Sequence, residues 1–126
     1  MPAAFDTQTY EAAAREKEVE LTTFGRKTGK PSRRIIWITA MNGRIYVRSG
    51  LGMTRDWPKN LQANGRAVLH LDGKDIPVRG RHVTDLEEAR AMHAPVKAKY
   101  NAERTSSSGE APPTPSELAV FELTPA

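Results

Sequence analysis

Five cationic side chains lie close together in the first third of the chain, among residues that favour anion binding. Two glycines, Gly25 and Gly29, and two hydroxyl side chains, Thr28 and Ser32, are interleaved with them. The cations are Arg26, Lys27, Lys30, Arg33 and Arg34. Glycines let backbone N–H groups approach a ligand closely, while cations and hydroxyls supply strong hydrogen bonds. We interpret this stretch as a phosphate-binding site; the alternative is a solvated basic loop.

The distribution of charge supports the phosphate interpretation. No acidic residue occurs between Glu20 and Asp56, whereas eight lysines or arginines do. The whole chain of 126 residues has a net charge of +4 and a pI of about 9.6. Because the positive charge is concentrated in the first half, we expect that half to meet an anionic partner.

A β-hairpin is predicted to carry the basic cluster. Charged and apolar residues alternate from Lys17 to Thr23, which is typical of a half-buried strand. The apolar run within 34–41 predicts a second strand. Asn42-Gly43 then predicts a tight turn into a third strand over 44–49, with Tyr46 facing outward. The first two strands would present the basic cluster at their connection.

The remaining patterns predict a barrel in a single domain over residues 1–126. Strands are expected at 67–71, 76–83 and 118–123, with Gly80 marking a bulge or bend. Helices are expected at 6–15, at 54–63 with Thr54 as its cap, and at 84–92, resuming over 96–100. Residues 101–117 are expected to form a mobile loop. The fold class is mainly β, α+β, with about six antiparallel strands and two to three flanking helices.

A second group of candidate binding residues follows the third strand. It comprises Ser49, Gly50, Gly52, Met53, Trp57 and Asn60. The first four form a glycine-containing loop, and the last two lie on the helix after it. Together with the basic hairpin, this group indicates a cofactor with a planar ring near the loop and an anionic tail at the hairpin. Taken alone, Trp57 is better interpreted as a helix residue packed on the barrel, and Asn60 could equally be a surface residue.

No catalytic side chain and no metal site are predicted. The chain has no cysteine, and its three histidines lack the spacing of metal ligands. The hydroxyls of 106–108 have no His and Asp context for acyl transfer. If the protein is an enzyme, we expect a cofactor to supply the chemistry. A membrane span and a signal peptide are not predicted, so a cytoplasmic protein is expected.

Two stretches resemble the deazaflavin-dependent nitroreductases, which are split β-barrels related to the pyridoxamine-phosphate oxidases and flavin reductases. Residues 21–30, LTTFGRKTGK, are similar to that family's LTTxGRKTGK signature. Residues 49–65 resemble its glycine loop and the W-x-x-N-L-x-A-N-P helix that follows. The resemblance covers about residues 18–84. The chain departs from the family pattern at Ile35-Ile36-Trp37, where Thr-Pro-Leu is usual, and at Gly65, where proline is usual.

The resemblance implies a barrel that binds the deazaflavin coenzyme F420, with FMN as the alternative. It places Arg26, Lys27 and Thr28 at the cofactor phosphate and the loop 49–53 near the ring. Hydride would then pass to a small organic acceptor such as a quinone or a nitro compound. A homodimer is a further expectation from the related oxidases.

A different class of function also fits a basic barrel. A small nucleic-acid-binding domain would place the basic hairpin on backbone phosphates and use Tyr46 and Trp37 as stacking surfaces. Aromatic residues make up only 6% of the chain, which makes nucleic acid the less favoured partner. A non-catalytic barrel that only holds a cofactor is the third alternative.

Overall fold

The protein forms a closed six-stranded antiparallel β-barrel, the fold class that the sequence predicts. The computed structural model describes residues 5–100 and 111–126. Around the barrel the strand order is β1-β2-β3-β6-β5-β4. The strands are β1 (Glu18–Phe24), β2 (Pro31–Met41), β3 (Arg44–Arg48), β4 (Arg66–Leu71), β5 (Lys74–His82) and β6 (Val120–Pro125).

Two tight turns set the register of neighbouring strands. Asn42 and Gly43 both have positive φ, of 54° and 77°, as a two-residue type I′ turn requires. Asp72 and Gly73 repeat this arrangement between β4 and β5, with φ of 56° and 72°. Since side chains alternate along each strand, this register sends Leu21, Ile38 and Leu69 into the barrel.

Four short α-helices flank the barrel within the described residues. They are α1 (Thr7–Arg15), α2 (Asp56–Asn64), α3 (Leu86–Ala91) and α4 (His93–Tyr100). Asp6 caps α1 by accepting a hydrogen bond from the Thr9 N–H, and Asp85 caps α3 in the same way through Glu87. Gly65 ends α2 in the left-handed conformation. Helices α3 and α4 are separated only by Met92, so they nearly continue one another.

The hydrophobic core consists of two clusters. The first fills the barrel, and α1 contributes the fully buried Ala12 and Ala13 to it. The second lies outside the barrel, where α3 and α4 cover Tyr46 and Val120 on the outer face. The two clusters fix α1 and the α3–α4 pair against different faces of the barrel.

The structure corrects three details of the sequence prediction. Thr54 does not cap α2; it belongs to a short 3₁₀ helix, Gly52–Thr54, and its hydroxyl donates to the Leu51 carbonyl at 2.9 Å. Gly80 marks close packing rather than a bulge, since a Cβ there would lie 2.6 Å from the Leu61 side chain. Tyr46 faces outward as predicted but is only 2% exposed, because helix α3 lies over it.

Part of the predicted loop 101–117 lies outside the described residues. From 111 onward the chain contains a short 3₁₀ helix, Ser116–Leu118, in which Ser116 and Glu117 are buried. In the part of the chain that the structure describes, no helix has the length and apolar character needed to cross a membrane.

Candidate functional site

The basic hairpin is anchored to helix α2 through Arg26. Both the backbone N–H and the guanidinium Nη1 of Arg26 donate to Asn60 Oδ1, at 3.2 and 2.8 Å. Its Nη2 lies 3.6 Å from Asp56 Oδ1. Asn60 is 4% exposed, and its Nδ2 donates to Thr23 Oγ1 at 3.4 Å. Arg26 and Asn60, both predicted to bind cofactor, therefore tie the β1–β2 connection to α2.

The other predicted residues of the hairpin have different surroundings. Lys27 and Lys30 are exposed and form no salt bridge with any described residue. The Thr28 hydroxyl accepts from the Lys30 N–H at 3.2 Å, within the turn itself. Arg33 donates from Nε to Glu20 Oε2 at 2.8 Å. Lys27 and Lys30 thus remain the cations of the connection that are available to an anion.

A cleft of about 850 Å³ lies beside this hairpin, between β2, the end of β3 and the start of α2. Its apolar walls are Ile35, Ile36, Trp37, Leu51 and Trp57. Its charged and polar lining consists of Glu18, Arg34, Arg48, Ser49, Gly50, Thr54, Arg55 and Asp56. Three arginines against two carboxylates leave the lining cationic, and two indoles give it planar surfaces. A planar molecule with an anionic group suits such a lining.

The indole of Trp37 is held in a fixed orientation by helix α4. It stacks on Tyr100 with ring centroids 4.1 Å apart and an angle of 2° between the planes. The Tyr100 hydroxyl accepts from the Ile38 N–H at 3.0 Å and lies 2.6 Å from the Lys17 carbonyl. Lys99 Nζ donates to the Ala13 and Ile38 carbonyls, both at 2.7 Å. The end of α4 therefore clamps β2 where Trp37 enters the cleft.

Arg48 is a poorly solvated cation in the same cleft. Burial lowers the pKa of its guanidinium below the ordinary value, and the carboxylate of Glu117 partly opposes this effect. Its side chain makes no hydrogen bond or salt bridge with the residues that the structure describes. Arg48 was not predicted as a site residue, and Trp37 was predicted only as a stacking surface, because strand patterns do not reveal which outward side chains share a cleft.

The loop after β3 divides between the cleft and the core. Ser49 and Gly50 line the cleft. Gly52 instead packs so closely on Pro115 that a Cβ would lie 2.8 Å from the Pro115 Cβ, and Met53 packs on the barrel core. Trp57 belongs to both environments, since it lines the cleft and lies 6.1 Å from the Phe121 ring centroid.

The structure thus brings together part of the predicted site. Four of its residues line the cleft: Arg34, Ser49, Gly50 and Trp57. Arg33 instead lines a second, smaller cleft of about 570 Å³ on the outer face of β1 and β4.

His70 and Asp75 of the second cleft belong to a series of hydrogen bonds from hydroxyl to imidazole to carboxylate, which was not predicted from the sequence. Thr22 Oγ1 and His70 Nε2 are 2.7 Å apart, and His70 Nδ1 lies 2.7 Å from Asp75 Oδ1. In a hydrolase the hydroxyl would be accessible and the carboxylate buried. Here the order is reversed, because Thr22 is 9% exposed whereas the Asp75 side chain is 78% exposed. These hydrogen bonds therefore join β1, β4 and β5 and do not present a nucleophile.

The stacking surfaces proposed for nucleic acid are largely occupied. Tyr46 is buried, and its hydroxyl donates to Glu88 Oε2 at 2.9 Å. Tyr100 covers one face of Trp37. Within residues 5–100 and 111–126, no three His, Asp or Glu side chains are grouped closely enough to hold a metal ion.

Several solved structures share this fold. A protein described as an F420 reductase is 14% identical, with a TM-score of 0.62 over 97% of this chain and 96% of its own. An F420H2-dependent reductase, FDR-A, is 20% identical, with a TM-score of 0.60 over 86% of this chain and 94% of its own. A Bacteroides thetaiotaomicron protein proposed to confer 5-nitroimidazole antibiotic resistance is 13% identical, with a TM-score of 0.62 over 99% of this chain and 81% of its own. At such identities the likeness shows the split-barrel fold.

No curated protein matches the sequence significantly. The profile of one protein family does match, over residues 10–123. That match spans nearly every strand and helix of the barrel. The chain therefore belongs to the family described as "Uncharacterized protein conserved in bacteria (DUF2255)".

Proposed function

We propose that the protein is an oxidoreductase that binds coenzyme F420 in the 850 Å³ cleft and passes hydride to a small organic acceptor, such as a quinone or a nitro compound. The observation that carries this proposal is the cleft itself, which combines two indoles with three arginines beside the basic hairpin. The split-barrel relatives described as F420 reductases support the choice of cofactor class.

The residues present fit such a cofactor. The cleft volume lies within the range of small-molecule sites, roughly 300–1,000 Å³. Trp57 offers a flat apolar surface for the cofactor ring, and Trp37 offers a second one for an acceptor. Gly50 offers exposed backbone beside the buried Ser49. The hairpin adjoins the cleft, because Arg26 pairs with the cleft residue Asp56 and Arg34 lines the cleft directly. An anionic tail leaving the cleft would meet Lys27 and Lys30.

When bound, the deazaflavin supplies the hydride chemistry. The chain's own residues would bind and orient it: Lys27 and Lys30 would hold the phosphate, and Ser49, Gly50 and Trp57 would hold the ring. No side-chain nucleophile is required.

FMN is the second candidate cofactor, because it too combines a planar ring with a phosphate.

A homodimer is proposed as well. Ile35 and Leu51 are 67% and 56% exposed at the edge of the cleft, and a second copy would cover them. Size-exclusion chromatography with light scattering, with and without cofactor, would detect such a dimer; a monomer under both conditions would exclude it.

Substitution of the hairpin lysine tests the phosphate assignment. Lys27→Ala should weaken cofactor binding by about 1–3 kcal/mol, the worth of a charge-assisted contact, as measured by fluorescence titration. Lys97→Ala, an exposed lysine on α4, is the matched control and should leave the affinity unchanged. Equal affinities of the Lys27 and Lys97 variants would contradict the assignment.

A further inference from the structure

Arg48 and Trp37 are neighbours on the outer face of two adjacent strands. Strand β2 pairs with β3 in the register Ile38↔Val47 and Thr39↔Tyr46. Continued by one residue, this register sets Trp37 opposite Arg48. Both side chains line the cleft. The strand pairing therefore places a flat aromatic surface beside a cation on β3, with Glu18 of β1 on its other side.

The aromatic surface is built before any ligand arrives. Tyr100 covers one face of Trp37, yet the residue is still 43% exposed, and Tyr100 does not line the cleft. The opposite face of the indole is thus the one available to a ligand. Because hydrogen bonds and Lys99 fix α4 to β2, a stacking ligand would not have to order this surface first.

The guanidinium of Arg48 is also available to a ligand. Arg34 donates to the Arg33 carbonyl at 3.0 Å, whereas the Arg48 guanidinium has no hydrogen-bond or salt-bridge partner among the described residues. Burial removes part of the hydration of this guanidinium, and Glu117 offsets that loss only in part. A carboxylate in the cleft would offset more of it with two parallel hydrogen bonds.

We propose that the small organic acceptor bound in the cleft is a planar aromatic quinone or nitro compound that also carries a carboxylate, with its ring stacked on Trp37 and its carboxylate on Arg48. This inference rests on the proposed function, since it names the class of molecule that shares the cleft with the cofactor. Trp37 and Arg48 are then the residues that determine specificity, and Tyr100 is a positioning residue.

A pair of matched probes tests the proposal on the cofactor-free protein. Naphthoate and its uncharged amide, with the substituent at the same ring position, are titrated by isothermal calorimetry. Naphthoate should bind at least about tenfold more tightly, as expected for a charged hydrogen-bonded pair. The chain has two tryptophans, so its amide NMR spectrum contains two indole signals. The signal of Trp37, assigned with Trp37→Phe, should shift more than that of Trp57.

Substitutions of arginine test whether Arg48 is the cation that binds the carboxylate. Arg48→Met should abolish the preference for naphthoate, Arg48→Lys should retain part of it, and Arg79→Met should retain all of it, because Arg79 is exposed and does not line the cleft. Equal affinities of the two probes, no binding of either, or a preference unchanged in Arg48→Met would overturn the inference. None of these results involves a cofactor, so failure here leaves F420 binding standing. Failure of F420 and FMN to bind likewise does not alter this test.

Discussion

Asn60 connects the predicted phosphate-binding hairpin to the rest of the protein. Its amide is buried and bridges Arg26 on the β1–β2 connection to Thr23 on β1. The sequence predicts Asn60 as a cofactor ligand, whereas its hydrogen bonds in the structure are to the protein itself. Its contribution to binding would be indirect, through the position of Arg26 and the lysines that follow.

Asn60→Ala should lower the free energy of unfolding by about 1–3 kcal/mol, because it leaves buried or partly buried donors without their acceptor. Urea denaturation measures this change. Gln62→Ala, an exposed substitution on the same helix, should stay within about 0.5 kcal/mol of the unmodified protein. If the two variants were equally stable, the bridging role of Asn60 would be wrong.

Gly80 is required by the packing of α2 on β5. A methyl group at this position would lie 2.6 Å from Cγ and Cδ1 of Leu61, which is itself 1% exposed. Gly80→Ala should therefore destabilise the fold by about 1–3 kcal/mol through overpacking, as measured by urea or thermal denaturation. Gly50→Ala is the control, since nothing lies within 4 Å of its added methyl group. A Gly80→Ala variant as stable as this control would show that Leu61 can move aside.

Helix α4 is the element that shapes the cleft wall. Lys99 and Tyr100 attach it to β2 and to α1, and Tyr100 supports the indole of Trp37. Burial lowers the pKa of Lys99 from 10.5 to about 8 and raises the pKa of Tyr100. Both groups therefore link the stability of this clamp to pH.

The sign of the lysine effect follows from proton binding. Between pH 8 and 10.5 the unfolded chain keeps the Lys99 proton while the folded chain loses it, so the contribution of Lys99 to stability rises with pH. Above pH 10 the raised pKa of Tyr100 acts in the opposite direction. Denaturation at pH 7 and 9.5 should show that the unmodified protein gains stability relative to Lys99→Met. Parallel pH profiles of the two proteins would contradict this account.

Local signals predicted the elements well because they act over few residues. Asn42-Gly43 and Asp72-Gly73 encode their turns directly, and Asp6, Asp85 and Gly65 encode helix ends. The cleft could not be predicted in the same way. Trp37 and Tyr100 are 63 positions apart in sequence, and their stacking depends on how α3 and α4 pack on the barrel. Likewise, the pairing of Arg33 with Glu20 follows from the β1–β2 register rather than from spacing.

The barrel as a whole brings the basic hairpin, the loop after β3 and the start of α2 to one side. The pairing of β2 with β3 brings Arg34 and Arg48 into the same cleft, although they are 14 positions apart in the sequence. The charge imbalance of the first half of the chain thus becomes a local positive field around a cleft with planar walls. Such a field favours a planar, anionic ligand over a neutral one.

Titration of the purified, cofactor-free protein with oxidised F420 and, in parallel, with FMN tests this account most directly. Cofactor fluorescence and the quenching of tryptophan emission are followed together, since Trp37 and Trp57 both line the cleft. We expect F420 to bind saturably, to quench the emission of both indoles and to bind more tightly than FMN. Binding of neither cofactor would contradict the proposal that the cleft binds a flavin-like cofactor.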